Sequence, residues 1–222
     1  MAAFFVTGSG TDIGKTWLCT GLLSLWRLRG LDPDALKPVL TGFDPVAPQG
    51  SDSALLLEAL GRVVDPAALA AMTPFRFAAP LSPDQAAGLE NRILAADAIA
   101  DACGPVLAVA RGPVLIEAAG GVMSPLNAHE TMLDLAVALD LPAVFVAGTY
   151  LGALSHALTG LAALKARGVT VAALALVESL DSVGLAQTAA SLSGHCPDLP
   201  IAPLVRGASV PALAKLSAIL GV

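Results

Sequence analysis

The amino-acid sequence predicts an α/β fold in which helices cover both faces of a mostly parallel β-sheet. Apolar, β-rich runs alternate with Ala- and Leu-rich helical stretches, and this alternation implies right-handed strand–helix–strand crossovers. The strand-like runs are almost continuously apolar, as parallel strands buried on both faces are, and 55% of the chain is hydrophobic. The 222 residues contain no internal repeat, low-complexity tract or long linker, so a single domain over residues 1–222 is expected.

Six runs are predicted as strands, and a predicted helix follows each of them along the chain. The strands are expected at residues 3–7, 35–40, 113–117, 143–147, 171–177 and 201–205. The helices are expected at residues 15–29, 53–61, 92–102, 129–139, 153–167, 182–194 and 210–220. The Pro-rich segment 62–91 is loop-like, and its fold is left open.

The stretch 143–164 contains no Asp, Glu, Lys or Arg and is long enough for a membrane span. Its β-rich first part gives way at Gly148-Thr149 to a helical pattern, so a strand, a loop and a helix explain it better. No membrane association is therefore predicted. The opening residues, MAAFFVTG, have no basic region before the apolar stretch and are predicted to be a first strand, not a signal peptide.

The charge balance argues against nucleic acid as a partner. Twelve basic residues face 18 acidic ones, which gives a net charge of −6. Nucleic-acid affinity comes mainly from many Lys and Arg contacts to phosphate, but the lysines are few: Lys15, Lys37, Lys165 and Lys215. The three cysteines, Cys19, Cys103 and Cys196, have no metal-binding spacing, so buried free thiols in a reducing compartment are expected.

The strongest motif runs from Gly8 to Thr16, between a predicted strand and a predicted helix. In that context a glycine-rich loop followed by Gly-Lys-Thr predicts a phosphate-binding P-loop. Lys15 would reach the β- and γ-phosphates, and the Thr16 hydroxyl would bind Mg²⁺. Ser9 departs from the Gly-x-x-x-x-Gly-Lys-Ser/Thr pattern, since it stands where the first glycine belongs. The alternative is an ordinary Gly-rich turn with a chance Gly-Lys-Thr.

Lys37 is a charged residue at the end of an otherwise apolar strand, where burial is costly unless the ammonium meets an anion. Ligands of open parallel sheets collect beyond the carboxyl ends of strands, so Lys37 is expected to face the P-loop. The alternative is an edge lysine whose charge reaches solvent. Thr41, which follows, would on its own be read as a turn residue.

Two acidic residues are candidates for Mg²⁺ binding. Glu117 ends an apolar strand and is followed by Ala-Ala-Gly-Gly, which fits a metal-directed carboxylate near a P-loop. Asp52 lies ahead of a helical run and is either a cap or first-turn acid or a second such carboxylate. For Glu117 the alternative is an acid in an ordinary turn.

These motifs together resemble the dethiobiotin synthetase family. The P-loop, the run from Lys37 to Gly42, the Ser51-Asp52 pair and the segment from Glu117 to Gly121 match it in order and spacing. Further matches lie at 80–83 and 151–157, so the resemblance covers most of the chain and weakens after about residue 170.

The resemblance implies a cytoplasmic homodimer with a P-loop NTPase-like sheet. It implies 7,8-diaminononanoate, CO₂ and Mg-ATP as substrates and dethiobiotin, ADP and phosphate as products. One amine captures CO₂ as a carbamate, and the carbamate attacks the γ-phosphate. The second amine then closes the ring.

The family's functional positions carry over to this chain by the motifs. The catalytic positions are Lys37, Lys15 and Thr11. The nucleotide-binding positions are Asp12, Ile13, Gly14, Lys15, Thr16, Trp17, Asp52, Glu117, Ala118, Ala119, Gly120, Val177, Glu178, Ala202, Pro203 and Leu204. The substrate-binding positions are Thr11, Lys37, Thr41, Gly152, Ala153, Leu154 and Ser155. The Mg²⁺ ligands are Thr16, Asp52 and Glu117. In the family the helix that begins near Gly152 can serve the other subunit.

Two departures from the family pattern bear on specificity. Val177-Glu178 stands where many members have Asn-Asp, which removes an amide partner for the purine edge. Relaxed preference among nucleoside triphosphates is therefore predicted. Ser155 stands where several members have Asn, and a serine has a shorter reach towards the substrate carboxylate.

Two other classes of protein share parts of this pattern. A switch or partitioning ATPase of the deviant P-loop type usually has an extra lysine at the start of the loop, but here that region is Thr7-Gly8-Ser9-Gly10. A small-molecule kinase would leave the Lys37 and Glu117 motifs unexplained. The sequence therefore favours the synthetase.

Overall fold

The computed structural model describes residues 2–207 and 210–222, and it confirms the α/β prediction with a parallel six-stranded sheet in the order β2-β5-β1-β6-β7-β8. The strands are β1 Ala3–Gly8, β2 Asp34–Leu36, β3 Val39–Thr41, β4 Phe75–Phe77, β5 Val114–Glu117, β6 Ala143–Ala147, β7 Val171–Val177 and β8 Ile201–Leu204. The helices are α1 Lys15–Leu28, α2 Asp52–Ala59, α3 Pro66–Met72, α4 Pro83–Leu89, α5 Ala96–Val109, α6 Met132–Leu139, α7 Ala153–Ala166, α8 Leu185–His195 and α9 Val210–Ile219.

Strand β1 lies in the middle of the sheet and pairs in parallel with β5 and β6. Its residues alternate between two cores: Phe5 packs with α5 to α8, whereas Phe4 and Val6 pack with α1, α2, α3 and α9. Burial on both faces explains why the strand runs are continuously apolar. The register places Val6 beside Glu117, so the ends of β1 and β5 meet at the same edge of the sheet.

The run 35–40 is not one strand, as predicted, but two strands in two sheets. Strand β2 joins the main sheet, while β3 pairs in parallel with β4 to form a separate two-stranded sheet. Pro38 has no N–H to donate to a ladder, which favours a break at this point. Around the break, the N–H of Lys37 donates to the carbonyl of Met72 (3.1 Å) and the N–H of Phe75 donates to the carbonyl of Pro38 (3.0 Å).

The segment 62–91, left open above, folds as α3, β4 and α4. Asp65 caps α3 by accepting the N–H of Ala68 at 2.8 Å, and prolines stand in the first turns of both helices. Proline suits the first turn because an N–H group at that position would have no partner within the helix, so no hydrogen bond is lost. Two of the four prolines in this segment, Pro66 and Pro83, are therefore helix-start signals.

The uncharged stretch 143–164 forms β6, a loop and the larger part of α7, as predicted. Over the described residues, every helix is too short or too polar to span a bilayer. All three cysteines are free. Cys19 and Cys103 are buried, but Cys196 is only half-buried, because it ends α8 at the edge of the core.

Helix α6 begins with a capping box. The Thr131 side chain accepts the N–H of Leu133, and Asp134 accepts the N–H of Thr131 at 2.7 Å. Arg167 also pairs with Asp134 at 2.9 Å. Burial acts to raise the pKa of Asp134, but the hydrogen bonds from Thr131 and the Arg167 charge outweigh it, so the pKa lies below its ordinary value.

Candidate active site

The loop between β1 and α1 has the backbone that a phosphate cradle requires. Asp12 and Gly14 both have positive φ, at 57° and 98°. A Cβ on Gly14 would lie 3.0 Å from Val177, and one on Gly8 would collide with the carbonyl of Val146. Glycine is therefore needed at both ends of the loop, and the N–H groups at the start of α1 are left for an anion.

Lys15 is the first residue of α1, and its side chain folds back over the loop. Its Nζ donates to the carbonyl of Gly10 at 2.6 Å. Burial is the main cause that lowers the pKa of Lys15 to about 8, and the positive charge of Lys37 is the second. An anion in the loop would offset both effects, so Lys15 is suited to bind phosphate.

Lys37 lies at the break between β2 and β3 and is almost fully buried. Its Nζ donates to Glu117 at 2.6 Å and to the carbonyl of Ala118 at 3.2 Å, and it pairs with Asp52 at 2.8 Å. Burial acts to lower the pKa of Lys37, but Glu117 and Asp52 outweigh it and raise the pKa above its ordinary value. Lys37 is therefore a permanent cation beside the phosphate loop.

Asp52 and Thr16 complete this cluster from two helix starts. Ser51 is the N-cap of α2, and its side chain accepts the N–H of Ala54. Asp52 is thus a first-turn acid and a site carboxylate at once. Burial acts to raise its pKa, but Lys37 outweighs burial and holds the pKa of Asp52 below its ordinary value. The Thr16 hydroxyl donates to Glu117 Oε1 at 2.7 Å.

The donors of this cluster fit a hard divalent cation such as Mg²⁺. The Thr16 hydroxyl and the Asp52 and Glu117 carboxylates are oxygen donors. Glu117 Oε2 is buried and has no hydrogen-bond partner among the described residues, so this oxygen is free to bind a ligand. Over those same residues, no group of three or more His, Cys, Asp or Glu could hold a metal alone. Mg²⁺ usually completes its shell with water and substrate phosphate, so this absence is compatible with it.

A cleft of about 810 Å³ opens over the cluster. Its walls include these predicted positions: Thr11, Asp12, Gly14, Lys15, Thr16, Trp17, Lys37, Thr41, Asp52, Glu117, Ala119 and Gly120. They also include positions for which no role was predicted: Leu40, Gly42, Gly50, Ser51, Pro80, Leu81, Ser82, Pro83 and Ser124. Leu40, Gly42, Ser51 and the 80–83 group lie in segments that matched the family, whereas Gly50 and Ser124 had no signal in the sequence.

Several predicted nucleotide-binding positions lie outside these walls. Val177 is buried against Gly14, and Ala202 and Leu204 are buried in the core, while Pro203 is exposed. Glu178 follows β7 and accepts the N–H of Arg206 at 3.3 Å.

Two more predicted nucleotide-binding positions also lie outside the cleft walls. Ile13 is half-buried and packs against the core beside α1. The backbone of Ala118 accepts Lys37, as described above.

The predicted carboxylate site, residues 152–155, also lies outside the cleft walls. It follows β6, so it sits at the same edge of the sheet as the phosphate loop. Gly152 is the N-cap of α7 with a φ of 98° and offers no side chain, which leaves the first N–H groups of α7 free of a side-chain cap. Tyr150 and His156 are hydrogen-bonded beside it, with Oη and Nδ1 2.8 Å apart.

Comparisons with known proteins agree with this geometry. A family model described as an AAA domain matches residues 2–219. The ATP-dependent dethiobiotin synthetase BioD of Caulobacter sp. (strain K31) is 47% identical over 210 residues, covering 94% of this chain and 90% of that protein. The protein of the same name from Caulobacter vibrioides (strain NA1000 / CB15N) is 50% identical over 190 residues, covering 85% of each. That from Methylobacterium nodulans is 42% identical and covers 96% of each chain.

Solved structures share the fold at low identity. The signal recognition particle receptor FtsY from Elizabethkingia anophelis superposes with a TM-score of 0.59 at 16% identity, covering 96% of this chain and 61% of that one. The MinC:MinD cell division complex of Aquifex aeolicus gives a TM-score of 0.57 at 9% identity, covering 98% and 96%. At these identities the likeness concerns the fold alone.

Proposed function

The chain belongs to the ATP-dependent dethiobiotin synthetase family, and we propose that its cleft closes the ureido ring of dethiobiotin with Lys37 as the essential cation. As a member of that family it is an ATP-dependent ligase that forms C–N bonds. The switch ATPase considered above is not favoured, because the curated relatives that match most of the chain are named ATP-dependent dethiobiotin synthetases. The observation that carries the proposal is the burial of Lys37 between Glu117 and Asp52, beside the phosphate loop.

In the proposed reaction, one amine of 7,8-diaminononanoate adds to CO₂ and loses a proton to give a carbamate. A carbamate oxygen attacks the γ-phosphorus of ATP, which forms a carbamic–phosphoric anhydride and releases ADP. The second amine attacks the carbamoyl carbon, closes the five-membered urea and expels phosphate. Negative charge grows between carbamate and phosphate in the second step, so fixed cations there lower the barrier most.

The chain's own residues divide this work. Lys15 binds the β- and γ-phosphates from the loop, and its pKa of about 8 keeps it mostly protonated near neutral pH. Lys37 bridges carbamate and γ-phosphate as a cation whose raised pKa prevents it from giving up its proton. Thr11 and Thr41, which line the cleft, position the amines and the carbamate through their hydroxyls. Gly152 to Ser155 receive the substrate carboxylate at the start of α7, where a helix N-terminus favours an anion.

The nucleotide's remaining contacts are proposed along the loop and the neighbouring strand ends. Trp17, Ala119 and Gly120 line the cleft, and Glu178, which follows β7, is proposed to contact the base. Mg²⁺ is proposed at Thr16, Asp52 and Glu117, where it would neutralise charge that develops on the phosphates. The free Oε2 of Glu117 supports this assignment.

We also propose a cytoplasmic homodimer. The start of α7 lies outside the cleft of its own chain, which suits a contribution to the cleft of a second copy. Leu151 and Leu180 are 87% and 86% exposed near this point, as apolar residues at an interface would be in an isolated subunit.

Mixing a Lys37→Ala protein with a Ser155→Asp protein tests the shared site. A heterodimer regains one intact site only if α7 serves the partner, so a rise in activity on mixing is expected. No rise would mean that α7 serves its own chain.

The proposed reaction is tested by the mass of the product. Incubation with 7,8-diaminononanoate, isotopically labelled bicarbonate, Mg²⁺ and ATP should give dethiobiotin that carries the label. Lys37→Ala should abolish the product, whereas Lys165→Ala, which replaces an exposed lysine near the end of α7, should leave it unchanged. No labelled product from the wild-type protein, despite ATP binding, would overturn the proposal.

A further inference from the structure

The loop after β6 and the loop after β7 are joined by a compact set of hydroxyl hydrogen bonds centred on Thr149, which is fully buried. The N–H of Thr149 donates to Ser179 Oγ at 2.9 Å, and the N–H of Ser179 donates to Thr149 Oγ1 at 3.0 Å. The Thr149 hydroxyl itself donates to Ser182 Oγ at 2.8 Å, and Ser182 Oγ also accepts the N–H of Gly184. Three of these side-chain hydrogen bonds join the two loops, and the fourth, from Gly184 to Ser182, lies within the loop after β7.

The close approach of the two loops is built into the sequence. A Cβ on Gly148 would collide with the Ser179 hydroxyl, so only glycine allows this contact. The N–H of Val183 adds a backbone hydrogen bond to the carbonyl of Thr149 at 2.8 Å. With these bonds made, the polar groups of the buried Thr149 are satisfied, which is the condition for a rigid buried network.

The network lies between two parts of the candidate site. On one side, Ser179 follows Val177 and Glu178, and Val177 packs against Gly14 of the phosphate loop. On the other side, Thr149 is three residues before Gly152, where α7 begins. Between them the N–H of Ala153 donates to the carbonyl of Tyr150 at 3.0 Å, so the chain from Thr149 to α7 is one short turn.

The start of α7 has no side-chain cap of its own to fix its position. Its free N–H groups therefore depend on the preceding loop for their placement, and Thr149 is the buried anchor of that loop. We propose that Thr149 is a positioning residue that, through Ser179 and Ser182, holds the start of α7 in the position from which its N–H groups reach the substrate. This inference rests on the proposed function, in which α7 receives the substrate carboxylate. It adds that the hydroxyl of Thr149 sets the affinity for that substrate.

The test compares variants that differ only in the hydroxyl. Thr149→Val keeps the shape of the side chain, but it removes the acceptor of Ser179 N–H and the donor to Ser182. Thr149→Ser restores both. Ser182→Ala removes the hydrogen bonds that Ser182 accepts from Thr149 and from Gly184 but keeps the pair between Thr149 and Ser179, so it provides a second test if the Thr149→Val protein does not fold. Ser193→Ala is the control, because that exposed hydroxyl bonds only the carbonyl of Ala189 within α8.

We expect Thr149→Val to raise the KM for 7,8-diaminononanoate by about 10-fold, the equivalent of one lost buried hydrogen bond. The Ser182→Ala variant should raise the same KM by about 2- to 5-fold, because the reciprocal bonds to Ser179 remain. For both variants the Kd for ATP, followed by the fluorescence of cleft-lining Trp17, should stay within about 2-fold of wild type, since Val177 still packs on Gly14. Thr149→Ser should behave as wild type.

The outcomes separate a positioning role from a structural one. A lower melting temperature with an unchanged KM, an ATP Kd that rises in step with KM, or a Thr149→Ser protein as impaired as Thr149→Val would each overturn the inference. Ser155→Asp, which places a negative charge at the start of α7, tests the underlying assignment in the same assay. If it leaves KM unchanged, the proposed carboxylate site is wrong and the inference falls with it. If it raises KM while both Thr149→Val and Ser182→Ala leave KM unchanged, only the inference fails.

Discussion

Replacing Lys37 by Met tests whether the buried ion cluster holds the site together. Methionine fills nearly the same volume but carries no charge, so Glu117 keeps only its hydrogen bond from Thr16. The Glu117 side chain is 1% exposed and gains no help from water, whereas Asp52 at 35% is partly solvated. The penalty should therefore arise mainly at Glu117.

Removing one partner of a buried ion pair lowers the free energy of unfolding by about 3–5 kcal/mol. Because Glu117 keeps its hydrogen bond from Thr16, we expect a loss of about 3 kcal/mol here. A domain of this size has a total stability of about 5–15 kcal/mol, so the loss is large. It corresponds to a fall in melting temperature of about 6–12 °C. Adding Glu117→Gln should recover most of the loss, because the double variant leaves no uncompensated charge at that position.

The sign of the pH dependence follows from the same charge. An uncompensated buried carboxylate is neutralised by protonation, so the Lys37→Met penalty should be larger at about pH 8 than at about pH 5. In the wild type, Lys37 lowers the pKa of Asp52, which contributes stability above its ordinary pKa and loses it as the pH falls through the lowered one. This acid-side contribution should be missing from the variant.

Urea unfolding followed by circular dichroism, at both pH values, measures these differences. An equal free energy of unfolding for wild type and Lys37→Met at the higher pH would refute the reasoning. So would a double variant that is no more stable than Lys37→Met alone, because the cost would then not come from the charge on Glu117.

Three further predictions follow from other parts of the chain. Because Val177-Glu178 offers no amide to a purine edge, we expect comparable kcat/KM for ATP, CTP and GTP, and strict use of ATP would contradict this. Asp134→Ala should lower the free energy of unfolding by about 1 kcal/mol at neutral pH, because the capping box is lost. Thermal unfolding should show this difference shrinking as the pH falls below the ordinary pKa of Asp134, because the wild-type carboxylate is then protonated and loses its stabilising contacts. Gly160→Ala should destabilise by about 1–3 kcal/mol, because its Cβ would collide with a buried phenylalanine ring, whereas Gly194→Ala, with open space around it, should stabilise by about 0.5–1 kcal/mol. Equal melting temperatures for the two glycine variants would refute that contrast.

The sheet and the phosphate loop could be predicted because their signals are local. A continuously apolar run identifies a strand buried on both faces, and the glycines before Lys15 identify the loop from its backbone requirements. Lys37 and Glu117 were each predicted to lie near the phosphate loop, since ligands of parallel sheets collect at the carboxyl ends of the strands. Their 2.6 Å contact with each other was not predicted.

The features that could not be predicted depend on contacts between distant segments. No signal near Pro38 indicates that residues 72–75 form hydrogen bonds with Lys37 and Pro38, so the split into β2 and β3 was missed. Helix α5 was expected to end before Gly104-Pro105, yet it continues through them to Val109. The network of Thr149 and Ser179 joins residues 30 positions apart, and isolated Ser and Thr residues carry no signal for such a pairing.

The balance of charge in the cluster leads to a last prediction about ligand order. The charges of Asp52 and Glu117 act on the pKa of both Lys15 and Lys37, and without ligands the two cations and two anions offset each other. A divalent cation alone would have to compete with Lys37 for its two carboxylates and leave a buried ammonium without a partner. A triphosphate alone would bring anions up to those same carboxylates.

When both ligands bind together, the metal cation binds the carboxylates of Asp52 and Glu117 and the phosphates bind the Lys37 ammonium. Each ligand therefore compensates the charge that the other would leave without a partner. Mg²⁺ and nucleotide should therefore bind with positive coupling of about 1–3 kcal/mol, by calorimetric titration of each in the presence and absence of the other. In Lys37→Met the carboxylates have no competing ammonium, so Mg²⁺ alone should bind more tightly than to wild type and should raise the melting temperature of the variant more. Weaker binding of Mg²⁺ to the variant would show that the carboxylates paired with Lys37 are not the ligands of the metal. The cluster would then be a structural ion pair, with no part in admitting the two ligands together.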